Sequence, residues 1–82
     1  MQKSEVIELK HPIERDGSKI EKLVMRGPKV RDLISAEKAG PSDSEREVYL
    51  FSDLCDVDED VIKDLCLVDY TGLQKVYQNF LS

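Results

Sequence analysis

Residues 5–25 read EVIELKHPIERDGSKIEKLVM, two segments rich in strand-forming residues on either side of the dipeptide Asp16-Gly17. Asp-Gly favours a tight reversal, because glycine adopts positive φ at no steric cost and aspartate tolerates the left-handed region. Residues 5–9 and 20–25 are therefore predicted to pair as a β-hairpin. Pro12 has no amide proton to donate, so it is expected at a strand end, an edge or a bulge, and the register stays open.

After the hairpin the spacing of apolar residues changes from two to about 3.6, which predicts helices in the rest of the chain. A short first helix is expected to have Pro28 in its first turn and to end near Gly40-Pro41. Its Val30, Leu33 and Ile34 fall on one side of the helix, so the sequence predicts an apolar stripe there.

A second helix is predicted over residues 43–55. Ser42 and Glu45 are spaced as a capping box, in which each side chain satisfies the backbone N–H of the other residue. At about 100° per residue, one core-facing stripe collects Val48, Leu50, Phe51, Leu54 and Cys55. Tyr49 points away from this stripe and is therefore a candidate surface aromatic residue.

Two more helices are predicted towards the end of the chain. The carboxylates of residues 58–60 crowd the start of a short third helix, where they interact favourably with its dipole. Asp69 is expected to cap the fourth helix, with Val68 and Leu73 as its hydrophobic staple. The apolar face of the fourth helix comprises Tyr70, Leu73, Val76, Tyr77, Phe80 and Leu81.

Together these patterns predict an α+β fold in a single small domain, residues 1–82. A β-hairpin occupies residues 1–27, and three to four short α-helices occupy residues 28–82. A chain of 82 residues has a small core, which supplies roughly 3 to 5 kcal/mol of stability. The marginal core and the free edge of a two-stranded sheet favour self-association, so a homo-oligomer is expected.

Charge is unevenly distributed along the chain. Residues 1–38 carry nine basic and seven acidic side chains, whereas residues 39–82 carry three basic and ten acidic ones, for a net charge of -5. Nucleic-acid binding depends on clustered Lys and Arg, so this chain is a poor candidate for it. No apolar run approaches the roughly 20 residues of a membrane helix, and no signal peptide is evident. A cytoplasmic protein is therefore expected.

Catalytic and metal-binding patterns are weak. His11 is the only histidine, so a zinc site or a nucleophile–histidine arrangement has little to draw on. Residues 56–60 have the acidic spacing that opens a calcium loop, but Val61 and Leu67 stand where that loop needs Gly and Glu. The sequence therefore predicts no catalytic residues, no metal and no cofactor.

The two cysteines and one serine motif leave alternatives open. Cys55 and Cys66 lie among apolar neighbours and are interpreted as reduced core residues, with a disulfide between them as the alternative. Ser52-Asp53-Leu54 invites comparison with the Asp-Ser-Leu motif on which acyl carrier proteins hold phosphopantetheine. Its order differs, and it lies late in a predicted helix, so a carrier function is disfavoured.

Several short motifs follow one another along the chain in a characteristic order: Leu9, Pro12-Ile13, Asp16-Gly17, Leu23-Val24-Met25-Arg26, Pro28, Asp32-Leu33, Asp69-Tyr70, Leu73-Gln74 and Phe80-Leu81. In this order and spacing the chain resembles the small tail assembly chaperones of contractile-tailed phages and prophages, the E/41/14 family. Typical members of that family have an acidic residue in place of Gly27 and often Thr in place of Lys29. Residues 39–47 have no clear counterpart.

The resemblance implies a non-enzymatic chaperone that binds the tape measure protein, keeps it soluble and helps tail tube subunits assemble around it. The tape measure protein and the tail tube protein are thus the expected partners. Tyr49, Tyr70, Tyr77 and Phe80 are the hypothesised partner-binding residues. The alternative is that these rings belong to the core, which is preferred for Phe80. A small acidic regulator or inhibitor that acts by protein–protein binding is the alternative function.

Overall fold

The computed structural model describes residues 3–82. Within them, an antiparallel hairpin precedes four helices. The elements are β1 (Glu5–Arg15), β2 (Ser18–Met25), α1 (Val30–Glu37), α2 (Asp43–Cys55), α3 (Glu59–Lys63) and α4 (Leu67–Phe80). The predicted α+β class, with an N-terminal hairpin followed by short helices, is confirmed.

The hairpin reverses where the sequence predicted. Asp16 and Gly17 have φ angles of 50° and 79°, so both central residues of the turn are in the left-handed region. Arg15 pairs directly with Ser18 across this two-residue loop. Such a turn matches the twist of the strands that it joins.

A bulge interrupts the ladder in the middle of β1. Glu8 pairs with Lys22 and Ile13 pairs with Ile20. Between these two pairs β1 therefore spans five positions, whereas β2 spans only two. Pro12 lies in this irregular stretch, where its missing amide proton costs no ladder hydrogen bond. The bulge is thus one of the three places that the sequence left open for this proline.

The core lies between one face of the hairpin and the helices. Its buried apolar side chains are Ile7, Leu9, Ile13, Leu23, Met25, Ala36, Leu50, Phe51, Leu54, Cys55, Val61, Ile62, Leu65 and Leu73. The predicted limits of α2 are confirmed, and Ser42 is its N-cap, because Ser42 Oγ accepts a hydrogen bond from the Glu45 N–H. The reciprocal half of the predicted capping box differs: the Glu45 carboxylate accepts the Ser42 hydroxyl proton instead of the Ser42 backbone N–H. The stripe predicted for α2 is buried except for Val48, which is partly exposed.

The first helix differs from its prediction in which face it buries. It begins at Val30, two residues after Pro28, and its predicted stripe faces solvent: Val30, Leu33 and Ile34 are 74%, 49% and 53% exposed. Asp32 and Ala36 are buried instead. An apolar stripe normally faces the core, but here the buried carboxylate of Asp32, paired with a partly exposed arginine, Arg26, lies on the side that faces inward. We call the surface of Val30, Leu33 and Ile34 the outer face of α1.

The fourth helix begins earlier than predicted. Its N-cap is Cys66, so Asp69 lies inside the first turn and is not the cap. Val68 is 46% exposed and forms no hydrophobic staple, and Leu67 is 82% exposed. Cys66 is exposed as well, so its assignment to the core was wrong. Asp69 does not cap α4 because its carboxylate binds the backbone of a distant strand, β1.

Candidate partner-binding surface

Asp69 fastens α4 to the bulge of β1. Its Oδ1 accepts the Lys10 N–H at 2.8 Å, and its Oδ2 accepts the His11 N–H at 3.0 Å. The bulge leaves these two amides without a ladder partner, and the carboxylate, which is 3% exposed, supplies one. Its place in the first turn of α4 is also favourable for a negative charge. Asp69 therefore fixes how α4 lies on the sheet.

Arg26 and Asp32 form a bidentate ion pair at the corner between β2 and α1. Both guanidinium–carboxylate distances are 2.9 Å, and the Lys29 N–H donates to Asp32 Oδ2 at 2.8 Å. Arg26 also reaches Asp53 of α2 at 3.4 Å. The hydrogen bonds from Arg26 lower the pKa of Asp32 to about 2, and the Lys29 amide adds to this effect. The pair thus holds α1 with its Asp32 side inward.

The start of α1 is only partly capped. Lys29 is its N-cap, and its own N–H is bonded to Asp32, but the Lys29 side chain caps no N–H of the first turn, since an ammonium group cannot accept a hydrogen bond. We expect Lys29→Thr to raise the free energy of unfolding by about 0.5 to 1 kcal/mol, because the threonine oxygen can accept an N–H from the first turn. Urea unfolding measures this gain. Lys29→Ala is the matched control, and equal stability of the two variants would contradict the prediction.

An aromatic cluster joins α2 to α4. The rings of Tyr70 and Tyr77 each lie 5.6 Å from the Phe51 ring, at interplanar angles of 55° and 60°. Such tilted contacts are favourable between aromatic quadrupoles. Tyr70 donates its hydroxyl proton to the Glu47 carboxylate, which also accepts Gln74 Nε2 at 2.8 Å. Burial and the Glu47 carboxylate raise the pKa of Tyr70.

Tyr49, the first of the four hypothesised partner-binding residues, lies on another side of α2. It is partly buried and packs against the core. Arg46 and Asp53, at i−3 and i+4, share its side of the helix. Arg46 donates to the Gly40 carbonyl, and Asp53 contacts Arg26. Tyr49 is therefore on the side of α2 that faces α1 and its connections, and it is not a fully exposed ring.

The other three hypothesised residues are on α4. Tyr70 and Tyr77 flank Phe51, as described, and Phe80 borders a small depression with Glu5 and Val76. All three are partly buried and pack against the core. The structure brings Tyr70 and Tyr77 together around one ring but places Tyr49 on a different side of α2.

The outer face of α1 is an exposed apolar surface that sequence reasoning did not identify as such. Its three side chains share one side of the helix, and an open depression lined by residues 26–32 adjoins its N-terminal end. The available signal was Asp32, a carboxylate six residues after Arg26 and on the opposite side of the predicted helix from Val30 and Ile34. A buried pairing of those two charges would have implied that the apolar side faces out.

The serine and the buried cysteine singled out in the sequence are not placed for chemistry at an open site. Ser52 is buried and donates its hydroxyl proton to the Tyr49 carbonyl at 2.7 Å, so it is poorly placed to carry phosphopantetheine. Both cysteines are free, and burial raises the pKa of the Cys55 thiol to about 11.

Among residues 3–82, no three His, Cys, Asp or Glu side chains converge in a way that could hold a metal ion. None of the helices in that range has the length and apolar character to cross a membrane.

Comparison with known proteins gives one match. A family model described as phage tail assembly chaperone proteins, E, or 41 or 14, matches residues 6–82. Neither the curated proteins nor the solved structures include a match to this chain. The matched region contains all four helices and all but the first residue of the hairpin. The chain therefore belongs to the E, 41 or 14 family of phage tail assembly chaperone proteins.

Proposed function

We propose that this chain binds the tape measure protein of its phage or prophage, keeps that long helical protein soluble before assembly, and assists formation of the tail tube around it. Membership of the chaperone family supports the proposal. The observation that carries it is the outer face of α1, whose three large apolar side chains are about half or more exposed. Contiguous apolar surface of this kind is typical of interaction sites.

The proposed mechanism is coverage of apolar surface. A tape measure rod exposes apolar helical stripes until tube subunits enclose it, and a small domain can cover such a stripe with one of its helices. No bond is made or broken, so the proposed role is non-enzymatic. The acidic second half of the chain, ten acidic against three basic side chains, would keep the complex dispersed in the host cytoplasm by charge repulsion.

The proposal includes Tyr49, Tyr70, Tyr77 and Phe80 as contributors to the binding surface. Each ring is partly buried, so each can offer an accessible edge without leaving the core. Tyr49 adjoins the α1 side of α2, whereas the other three extend the surface along α4. The tail tube protein and further copies of this chain are additional proposed partners.

Co-expression with the tape measure protein of the same genome tests the function. We expect that protein to stay in the soluble fraction and to co-purify with this chain. Tyr49→Ala should weaken binding by about fivefold or more, the usual cost of truncating an aromatic anchor. Gln78→Ala, at an exposed position of α4, is the control. A tape measure protein that precipitates equally with and without this chain would refute the proposed function.

A further inference from the structure

The outer face of α1 has the side-chain spacing of a helix-binding surface. Val30, Leu33 and Ile34 stand at i, i+3 and i+4, so they form one continuous apolar strip on the solvent side. With eight residues, α1 is about 12 Å long, which matches roughly two turns of a partner helix. Its length and pattern therefore suit an amphipathic helix rather than a flat surface.

Positive charge borders the outer face of α1. Lys29 and Lys38 are the caps at the two ends of α1, Arg31 lies in its first turn beside the apolar strip, and all three are exposed. Glu37, also exposed, continues the line of the apolar residues and is the one free carboxylate of α1, because Asp32 is paired with Arg26. Three cations against one carboxylate leave a net positive rim, in a chain whose total charge is -5.

The face is also rigidly held. The Arg26–Asp32 pair fixes the start of α1 to the end of β2, and α1 packs on α2 along its other side. Its apolar side chains are therefore presented before any partner arrives. A preorganised surface loses less conformational entropy on binding than a flexible one.

From these features we propose that the outer face of α1 binds a single amphipathic helix whose apolar stripe is flanked by carboxylates. The partner's carboxylates would meet Lys29, Arg31 and Lys38, which gives the contact its specificity. This inference rests on the proposed function for the identity of the helix, which is then an acidic segment of the tape measure protein.

A second copy of this chain fits the surface less well. Two copies joined through the outer face of α1 would bring together two rims with the same excess of positive charge. The acidic half exposes Leu67, Val68 and Leu81, but the first two are adjacent residues in the first turn of α4 and Leu81 lies at its far end, so they form no helical stripe. A contact between them and α1 would be head-to-tail, which builds a ring or a filament and not a two-fold dimer.

The test uses the full chain, co-expressed with the tape measure protein, in four forms. These are the wild type, the double variant Leu33→Ser/Ile34→Ser, the charge variant Arg31→Glu/Lys38→Glu and the control Leu67→Ser. We expect the amount of tape measure protein that co-purifies to fall about tenfold or more, relative to the wild type, for the double variant. For the charge variant it should fall about fivefold at low salt. The control should retain as much as the wild type. All substituted side chains are exposed, and thermal unfolding verifies that each variant folds.

The outcomes separate the surface from the function. If the wild type and both α1 variants retain the tape measure protein equally, the proposed surface is wrong while the proposed function stands. If the wild type retains no tape measure protein, the proposed function is wrong, and so is the identification of the tape measure protein as the partner. Sedimentation velocity addresses the other occupant: self-association of the wild type that the double variant abolishes would show that a second copy occupies this face, and would overturn the proposal.

Discussion

Replacement of Asp69 by alanine should lower the free energy of unfolding by about 3 kcal/mol. The substitution leaves the amides of Lys10 and His11 without their acceptors beside the buried Asp69 position, and an amide that loses its partner away from water costs about 1 to 3 kcal/mol. It also removes a negative charge from the first turn of α4, which is worth up to about 1 kcal/mol. We therefore expect the largest effect of any single polar substitution in this chain at Asp69.

Urea unfolding at neutral pH measures this effect. Asp69→Asn keeps one oxygen acceptor, so its loss should be about half that of the alanine variant. Asp64→Asn, which changes an exposed carboxylate near the same helix, should leave stability unchanged. A loss below about 1 kcal/mol for Asp69→Ala would mean that water replaces the carboxylate and that the strand–helix connection is weak.

Replacement of Asp32 by asparagine should destabilise the protein at neutral pH by about 2 to 3 kcal/mol, with a loss that depends on pH. The pKa of Asp32 is lowered from its ordinary 3.8 to about 2 in the folded state. A shift of that size corresponds to roughly 2 kcal/mol. Because the folded-state pKa is the lower one, the contribution is fully present above the unfolded value and is lost as pH falls from about 4 towards 2.

Unfolding free energies of the wild type and Asp32→Asn, measured from pH 7 down to pH 2, test this prediction. The difference between the two proteins should be constant above about pH 5 and should shrink below pH 4. Asp43→Asn breaks an exposed pair with Arg46 and should change the profile little. Parallel profiles of the wild type and Asp32→Asn over the whole range would contradict the assignment.

These two carboxylates also determine which surface is available to a partner. Asp69 fastens α4 to the sheet, and Asp32 turns the polar side of α1 inward. The outer face of α1 is exposed as a result of the second interaction. Loss of Asp32 should therefore weaken partner binding as well as stability, although its side chain is not part of the face.

Local patterns in the sequence correctly predicted much of the fold. The Asp16-Gly17 turn and the Ser42 N-cap that starts α2 depend on residues within four positions of one another. Backbone conformational preferences and short-range hydrogen bonds are sufficient to determine such features. The family could also be recognised from the order and spacing of short motifs, which are read directly from the sequence.

The tertiary structure alone decided which face of α1 is buried and where the carboxylates of Asp32 and Asp69 bind. Asp69 has the propensity of an N-cap, yet its partners are 58 and 59 positions away in the chain, and two hydrogen bonds from that strand outweigh one local cap. The stripe of Val30, Leu33 and Ile34 was visible in the sequence, but its exposure depends on Arg26 pairing with Asp32 across the corner. Periodicity gives the sides of a helix, whereas only contacts between distant elements determine which side meets solvent.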